Sequence, residues 1–310
     1  MKDITRTLIG MILLSAFLTG CTTTQYAMML IKQDTTQGKV KEEIVGLSDQ
    51  LLKSKRISAA RVYTMPDGVK IDVWVYKHKS PDSGKSRGTV LVLHDIGNSK
   101  ADYRVLAKKL AEKGFDVVLP DLRAHGRSTG KYVTFGAKEK HDQKYVIDQL
   151  LKEKLISLPI FAFGFDLGGA VAIQYAAIDP RVKGVIAVAP NRDIFSFCRR
   201  LLPLLNEADA MKVIEKAGKI AKFDPADASA IMAATKLKCP IILMHGQLDM
   251  TVPVTDSKMI YESAVSKKEL NILPMTNHIT IMFLREDDIV KSIERLADGK
   301  VGLKTGKSGK

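Results

Sequence analysis

The stretch Gly164-Phe165-Asp166-Leu167-Gly168 has the spacing of a strand-turn-helix elbow of the G-x-S-x-G type, with aspartate at the centre where the pattern carries serine. Glycines on both sides let a strand and a helix pass closely around a strained central residue. A helix opening near Leu167 turns unpaired N–H groups toward that residue and stabilises an anion there. Two further residues could move protons. Asp249 follows the apolar run 239–246, and His278 follows the run 268–274. A carboxylate that accepts the proton of one imidazole nitrogen fixes the tautomer and leaves the other nitrogen basic. Asp166, Asp249 and His278 are therefore expected to converge, with His278 between the two carboxylates.

Such residues must come from different strand ends, and the chain supplies them. The segments 60–64 and 69–77 alternate apolar and polar residues around the turn Pro66-Asp67-Gly68, as a strand pair does. Buried-strand runs follow at 88–94, 115–120, 159–163, 182–190, 239–246 and 268–274. Helical patterns lie between them, at 101–113, at about 137–153 and from 169. Continuous apolar strands alternating with helices predict an α/β fold with a mostly parallel sheet and helices on both faces. The stretch 191–236 interrupts this alternation with helical sequence. An insertion there sits over the carboxyl ends of the strands, where such sheets bind ligands, and is expected to be a small helical lid.

In this order the motifs resemble the α/β-hydrolase superfamily over about residues 60–297, in its monoacylglycerol-lipase-like and serine-aminopeptidase-like branch. The matching pieces are His94-Asp95-Ile96-Gly97, Asp121-Leu122-Arg123-Ala124-His125-Gly126-Arg127-Ser128, the elbow, His245-Gly246-Gln247-Leu248-Asp249 with Val252-Pro253, and Asn277-His278. The resemblance implies a triad of Asp166, Asp249 and His278, and an oxyanion hole from the backbone N–H groups of Ile96 and Leu167. Asp121 and Arg123 are expected to tie down a loop, and His94, His125 and His245 to support loops rather than to catalyse. Asp95 departs from the family, which usually has glycine there, and a carboxylate near an oxyanion would oppose it.

Asp166 leaves three readings open. Haloalkane dehalogenases and epoxide hydrolases carry aspartate at this position and attack saturated carbon with it. Their helpers, a tryptophan directly after the nucleophile or lid tyrosines, are unmatched, because Leu167 follows Asp166 and 191–236 contains no tyrosine. A carboxylate attacking an ester carbonyl would have to form an anhydride, which is uphill; serine avoids this because a base removes its proton. The readings are thus a hydrolase of esters, acyl lipids or related small substrates, an aspartate-nucleophile hydrolase, and a catalytically silent binding protein. No metal-ligand spacing and no nucleotide fingerprint appears, so neither metal nor cofactor is expected.

The first residues read differently. Lys2 and Arg6 precede an apolar run from Leu8 to Leu18 that ends Leu18-Thr19-Gly20-Cys21. That run is shorter than the roughly 20 residues of a membrane span and has the length of a signal-peptide core. It resembles the bacterial lipobox, which implies removal of 1–20, acylation of Cys21 and anchoring at the cell envelope. Thr22 in place of aspartate points to the outer membrane, facing the periplasm. Residues 21–58 are expected to form a tether and a short helix, 59–297 the hydrolase domain, and 298–310 a basic flexible tail. Of three cysteines, Cys198 and Cys239 remain; burial as small apolar residues is expected for both. The chain has a net charge of +14. Without a nucleic-acid motif, this favours a basic surface beside anionic lipid.

Overall fold

The computed structural model describes residues 22–33, 47–53, 57–79 and 84–302. The signal-peptide reading of 1–20, Cys21 and the end of the tail lie outside them.

The apolar runs form strands β1 (Ala59–Thr64), β2 (Lys70–Tyr76), β3 (Thr89–Leu93), β4 (Asp116–Pro120), β5 (Ile160–Phe165), β6 (Val182–Val188), β7 (Ile241–Gly246) and β8 (Lys268–Leu273). They make one eight-stranded sheet in the order β1-β2-β4-β3-β5-β6-β7-β8. Strand β2 is antiparallel to β1 and β4, and the other pairings are parallel. This is the mostly parallel sheet expected from the strand pattern. Successive side chains point to opposite faces, so each strand feeds two cores. Leu91 and Leu93 of β3 pack in one core, Val90 and Val92 in the other. Ile160 and Ala162 of β5 divide from Phe161, Phe163 and Phe165 in the same way.

Helices cover both faces. In chain order they are α1 (Thr23–Ile31), α2 (Leu47–Lys53), α3 (Arg104–Glu112), α4 (Glu139–Lys152), α5 (Leu167–Ile178), α6 (Ile194–Leu201), α7 (Glu207–Ala221), α8 (Ala230–Ala234), α9 (Val254–Ser263), α10 (Thr280–Leu284) and α11 (Glu286–Ala297). Helices α4 and α5 place Val146, Ile147 and Ile173 in the first core. Helices α3 and α11 place Leu106, Leu110, Ile289 and Ile293 in the second.

The insertion leaves the carboxyl end of β6 and returns at β7. Asp193 caps α6 by accepting from Ser196 N at 2.7 Å, and Asn206 caps α7 by accepting from Asp209 N at 2.9 Å. A backbone bridge between Asp193 and Ser229 joins the two ends of the insertion. Lys138 Nζ donates to Ala221 O at 3.1 Å and Lys140 Nζ to Asp227 O at 3.1 Å, so the N-terminal end of α4, with Lys138 just before it, braces the insertion.

One expectation is corrected. Residues 23–31 are part of the fold, not of a tether. Thr22 and Gln25 form a capping box, and Ala27, Leu30 and Ile31 are buried, with α1 packed against α7. The cause is the apolar stripe at i, i+3 and i+4 within a stretch whose threonines and glutamines read as polar.

Candidate active site

The elbow forms as its glycines require. Asp166 has φ 50° and ψ −114°, a strained conformation for a residue with a side chain. Its N–H donates to Val188 O at 2.9 Å and so ties it to β6. A Cβ on Gly164 would lie 2.1 Å from Gly168 O, and one on Gly168 would lie 2.2 Å from Leu93 O. Only glycine allows strand and helix to cross this closely. The Asp166 side chain is 4% exposed, and its Oδ1 accepts from Asn191 Nδ2 at 2.5 Å.

Asp249 and His278 meet across the ends of β7 and β8. Asp249 Oδ1 accepts from the N–H groups of Thr251 and Val252, both at 2.8 Å. Its Oδ2 accepts from His278 Nδ1 at 2.7 Å, which leaves His278 Nε2 as the basic nitrogen. The imidazole is fixed against Phe165, with ring centroids 4.7 Å apart. Burial alone would raise the Asp249 carboxyl. Hydrogen bonds from His245 and His278, and the His278 charge, outweigh it and hold Asp249 well below the usual carboxylate range. Burial alone would lower His278. The bond to Asp249 and the charges of Asp166, Asp249 and Asp95 outweigh it and raise the imidazole. Asp166 thus acts on His278 through charge; no hydrogen bond or ion pair joins the two side chains.

The loop after β3 places Asp95 in the same field. Its carboxylate accepts from Tyr103 Oη at 2.8 Å and Asn98 Nδ2 at 2.7 Å. Burial and the Asp166 charge nevertheless push it up to about 6. Among the described residues the N–H groups of Ile96 and Leu167 make no hydrogen bond, so both are available there as donors.

The remaining motif residues hold loops. His94 Nδ1 donates to Asp95 O at 2.7 Å, while its Nε2 accepts from Leu122 N at 2.9 Å. Burial lowers it to about 4, and burial likewise lowers His125 to about 3. His245 lies between Ser257 Oγ at 2.7 Å and Val252 O at 3.0 Å. Asp121 accepts from the backbone of Lys100 and Arg127, both at 2.8 Å. Arg123 clamps Asp142 through two bonds of 2.8 and 2.7 Å. Cys198 and Cys239 are free, buried thiols. Among the described residues no group of three His, Cys, Asp or Glu could hold a metal ion. No helix among them is long and apolar enough to cross a membrane.

Two residues coupled to Asp166, one by a hydrogen bond and one by charge, escape the motifs because both lie in the insertion. Asn191 holds Asp166. Arg200, on α6, stacks over the Phe197 ring with Cζ 5.0 Å from the centroid, and its Nη1 is buried without a hydrogen-bond partner among the described residues. The available signal was helical spacing: Arg200 follows Ser196 by four residues and Phe197 by three, which puts it on their buried face. A cavity of about 10 Å³, room for about one water, is lined by Phe135, Leu167, Gln174, Asn191 and others beside the elbow.

This sheet order and elbow define the α/β-hydrolase fold, and the chain has it. The esterase Pf2001 of Pyrococcus furiosus superposes with a TM-score of 0.63 at 24% identity, over 80% of this chain and 94% of the esterase. The sequence profile of the family "Serine aminopeptidase, S33" matches residues 84–219, which include Asp166 but neither Asp249 nor His278. An uncharacterized Escherichia coli protein, YfhR, is 22% identical over 76% of this chain and 78% of its own length. The monoacylglycerol lipase of Mycolicibacterium smegmatis is 24% identical over 68% of this chain and 86% of its own.

Proposed function

We propose that the protein is a hydrolase of small ester or acyl substrates in which the Asp249–His278 pair transfers the protons. The 2.7 Å bond between these two groups carries the reading. A structural turn has no need of an imidazole locked in one tautomer beside a strained elbow. The esterase and lipase among the similar proteins support the substrate class. Asp166 does not attack the acyl carbon, because the product would be an anhydride. Asn191 occupies its Oδ1, and Oδ2 accepts one hydrogen of a water. His278 Nε2 takes the other proton as the water oxygen bonds to the acyl carbon, then gives it to the departing alkoxide. The products are an acid and an alcohol.

A panel of activated short-chain esters tests this. Turnover by wild type that disappears in His278→Gln, with no adduct on Asp166, is expected. An ester trapped on Asp166 in His278→Gln after exposure to alkyl halides or epoxides, seen as a mass increase, would replace water attack by covalent attack at saturated carbon. A silent binding protein is the second reading. The two carboxylates of Asp95 and Asp166 at one site favour it, since they oppose a developing oxyanion. Inactivity of wild type and of Asp166→Ser, both folded, would establish that reading.

We also propose that Cys21 is acylated and anchors the protein at the bacterial cell envelope, on the outer-membrane side of the periplasm. The motif Leu18-Thr19-Gly20-Cys21 after an apolar run supports this. Cys21→Ser should abolish acyl labelling and change the protein's fractionation; unchanged labelling would refute it.

A further inference from the structure

We infer that Arg200 is the anion-binding group of this site, receiving the substrate oxygen on which negative charge forms and which becomes part of a carboxylate product. The inference rests on the ester-hydrolase reading above. Its ligand class is a small carboxylate or the oxyanion that precedes one.

Packing links the guanidinium to the wall of the site. Leu167 and Asn191, the neighbours of Asp166, line the small cavity together with Phe135. Phe135 packs on Phe197, with centroids 4.8 Å apart, and Phe197 carries Arg200 on its face. Ser196, one turn earlier, is fixed by donating to Asp256 at 2.7 Å. Helix α6 therefore holds Arg200 from two sides on the inner face of the insertion. The guanidinium makes no ion pair within 4.0 Å among the described residues, and Nη1 is buried with no acceptor. A buried donor without a partner is rare in folded proteins and calls for an explanation. Burial lowers this guanidinium, while Asp166, Asp256 and Asp249 pull it the other way. These charges put it within electrostatic reach of the reaction centre, and no ion pair among the described residues neutralises it.

Chemistry supplies the reason. In the resemblance, the oxyanion relies on the N–H groups of Ile96 and Leu167. Here Asp95 lies next to one of those donors and Asp166 next to the other, and each carboxylate weakens a neighbouring oxyanion site. A guanidinium within electrostatic reach of Asp166 offsets that repulsion. Its gain is greatest when the substrate oxygen becomes charged, so the interaction favours the transition state over bound ester. No group need be transferred to Arg200: it donates hydrogen bonds, and the electron pair stays on the substrate oxygen.

Acetate and butyrate are the probes, titrated into the full chain and followed by calorimetry and by the Arg200 Nε–H resonance. Wild type should bind them with a shift of that resonance. Arg200→Gln should weaken binding by about tenfold or more, the loss of a charge-assisted hydrogen bond. Lys219→Gln removes an equal charge from α7, where that residue lines a separate groove with Lys222 and Phe223, and should leave binding unchanged. On activated esters, Arg200→Gln should lower kcat by about 10²-fold with little change in KM. Its rates should also depend more steeply on leaving-group basicity. Binding and kcat in a folded Arg200→Gln equal to wild type would overturn the inference. Should that variant lose its cooperative melt, an Arg200 resonance unmoved by acetate in wild type would overturn it. Carboxylate binding that depends on Arg200, in a protein that turns over no ester, would refute the hydrolase reading and leave the anion site standing.

Discussion

His278 is raised by the groups around it, and this sets how the site responds to pH. A base must be neutral to accept a proton, so ester turnover should rise with pH along a limb above the ordinary histidine value of about 6.5. Asp249→Asn removes the bond that raises the imidazole and leaves burial to lower it. The limb should move down, and kcat should fall by up to about 10⁴-fold because the tautomer is no longer fixed; a pH-rate profile reads both. The stability linkage has its own signs. A raised histidine contributes stability below its unfolded value, lost as pH rises through the folded one. A depressed aspartate contributes above its unfolded value, lost as pH falls through the folded one. The melting difference between wild type and His278→Gln should therefore be largest between roughly pH 4 and 6.5 and shrink toward alkaline pH. Asp95 gives a further test at this scale. Asp95→Asn removes a carboxylate from beside the oxyanion donors, so kcat should increase and the limb should fall, one charge having left the His278 field. An unchanged kcat in Asp95→Asn, with an unmoved limb, would show that this carboxylate takes no part in the site.

At the scale of elements, strands and elbow were legible for a simple reason. A strand buried on both faces must be apolar along its whole length, and runs such as Thr89–Leu93 and Ile241–Gly246 leave no other reading. Asp249 and His278 were legible because each follows such a run. Arg200 and Asn191 were not, because a charged or amide residue within an insertion looks the same whether it faces solvent or a reaction centre. Helix α1 was hidden by its shortness: the apolar run Tyr26–Ile31 follows threonines and a glutamine, and six residues without a partner are a weak pattern until α7 is there to receive them. Leu30 is fully buried between these helices. Leu30→Ala should cost about 2–5 kcal/mol, lowering the melting temperature by several degrees, whereas a true tether would show no change.

Across the whole molecule, charge and exposed apolar side chains have different addresses. The net charge of +14 is spread along the chain, while Met250, Met275, Ile279 and Phe283 stand exposed in the segments around Asp249 and His278. A chain starting at Thr22 should sediment with anionic vesicles at low salt. It should lose them as ionic strength rises and the screening length falls from about 10 Å at 0.1 M to 3 Å at 1 M. Retention at high salt would show that apolar contact, not charge, holds it there.

Helix α1 also has a mechanical consequence. Ala27, Leu30 and Ile31 are wedged against α7, and Ile31 O accepts from Val133 N at 3.0 Å. Swinging α7 outward would uncover the two larger side chains at about 1.5–3 kcal/mol each, so the insertion is bolted along that rim. Any movement that opens a path to Asp166 is then expected at α6, a doorway rather than a hinged roof. With an acyl group on Cys21, the bolt would also be the mooring. That cysteine directly precedes the capping Thr22, one step of about 3.8 Å along the chain, too little slack for the body to turn freely, so the membrane would set the compass bearing of the doorway.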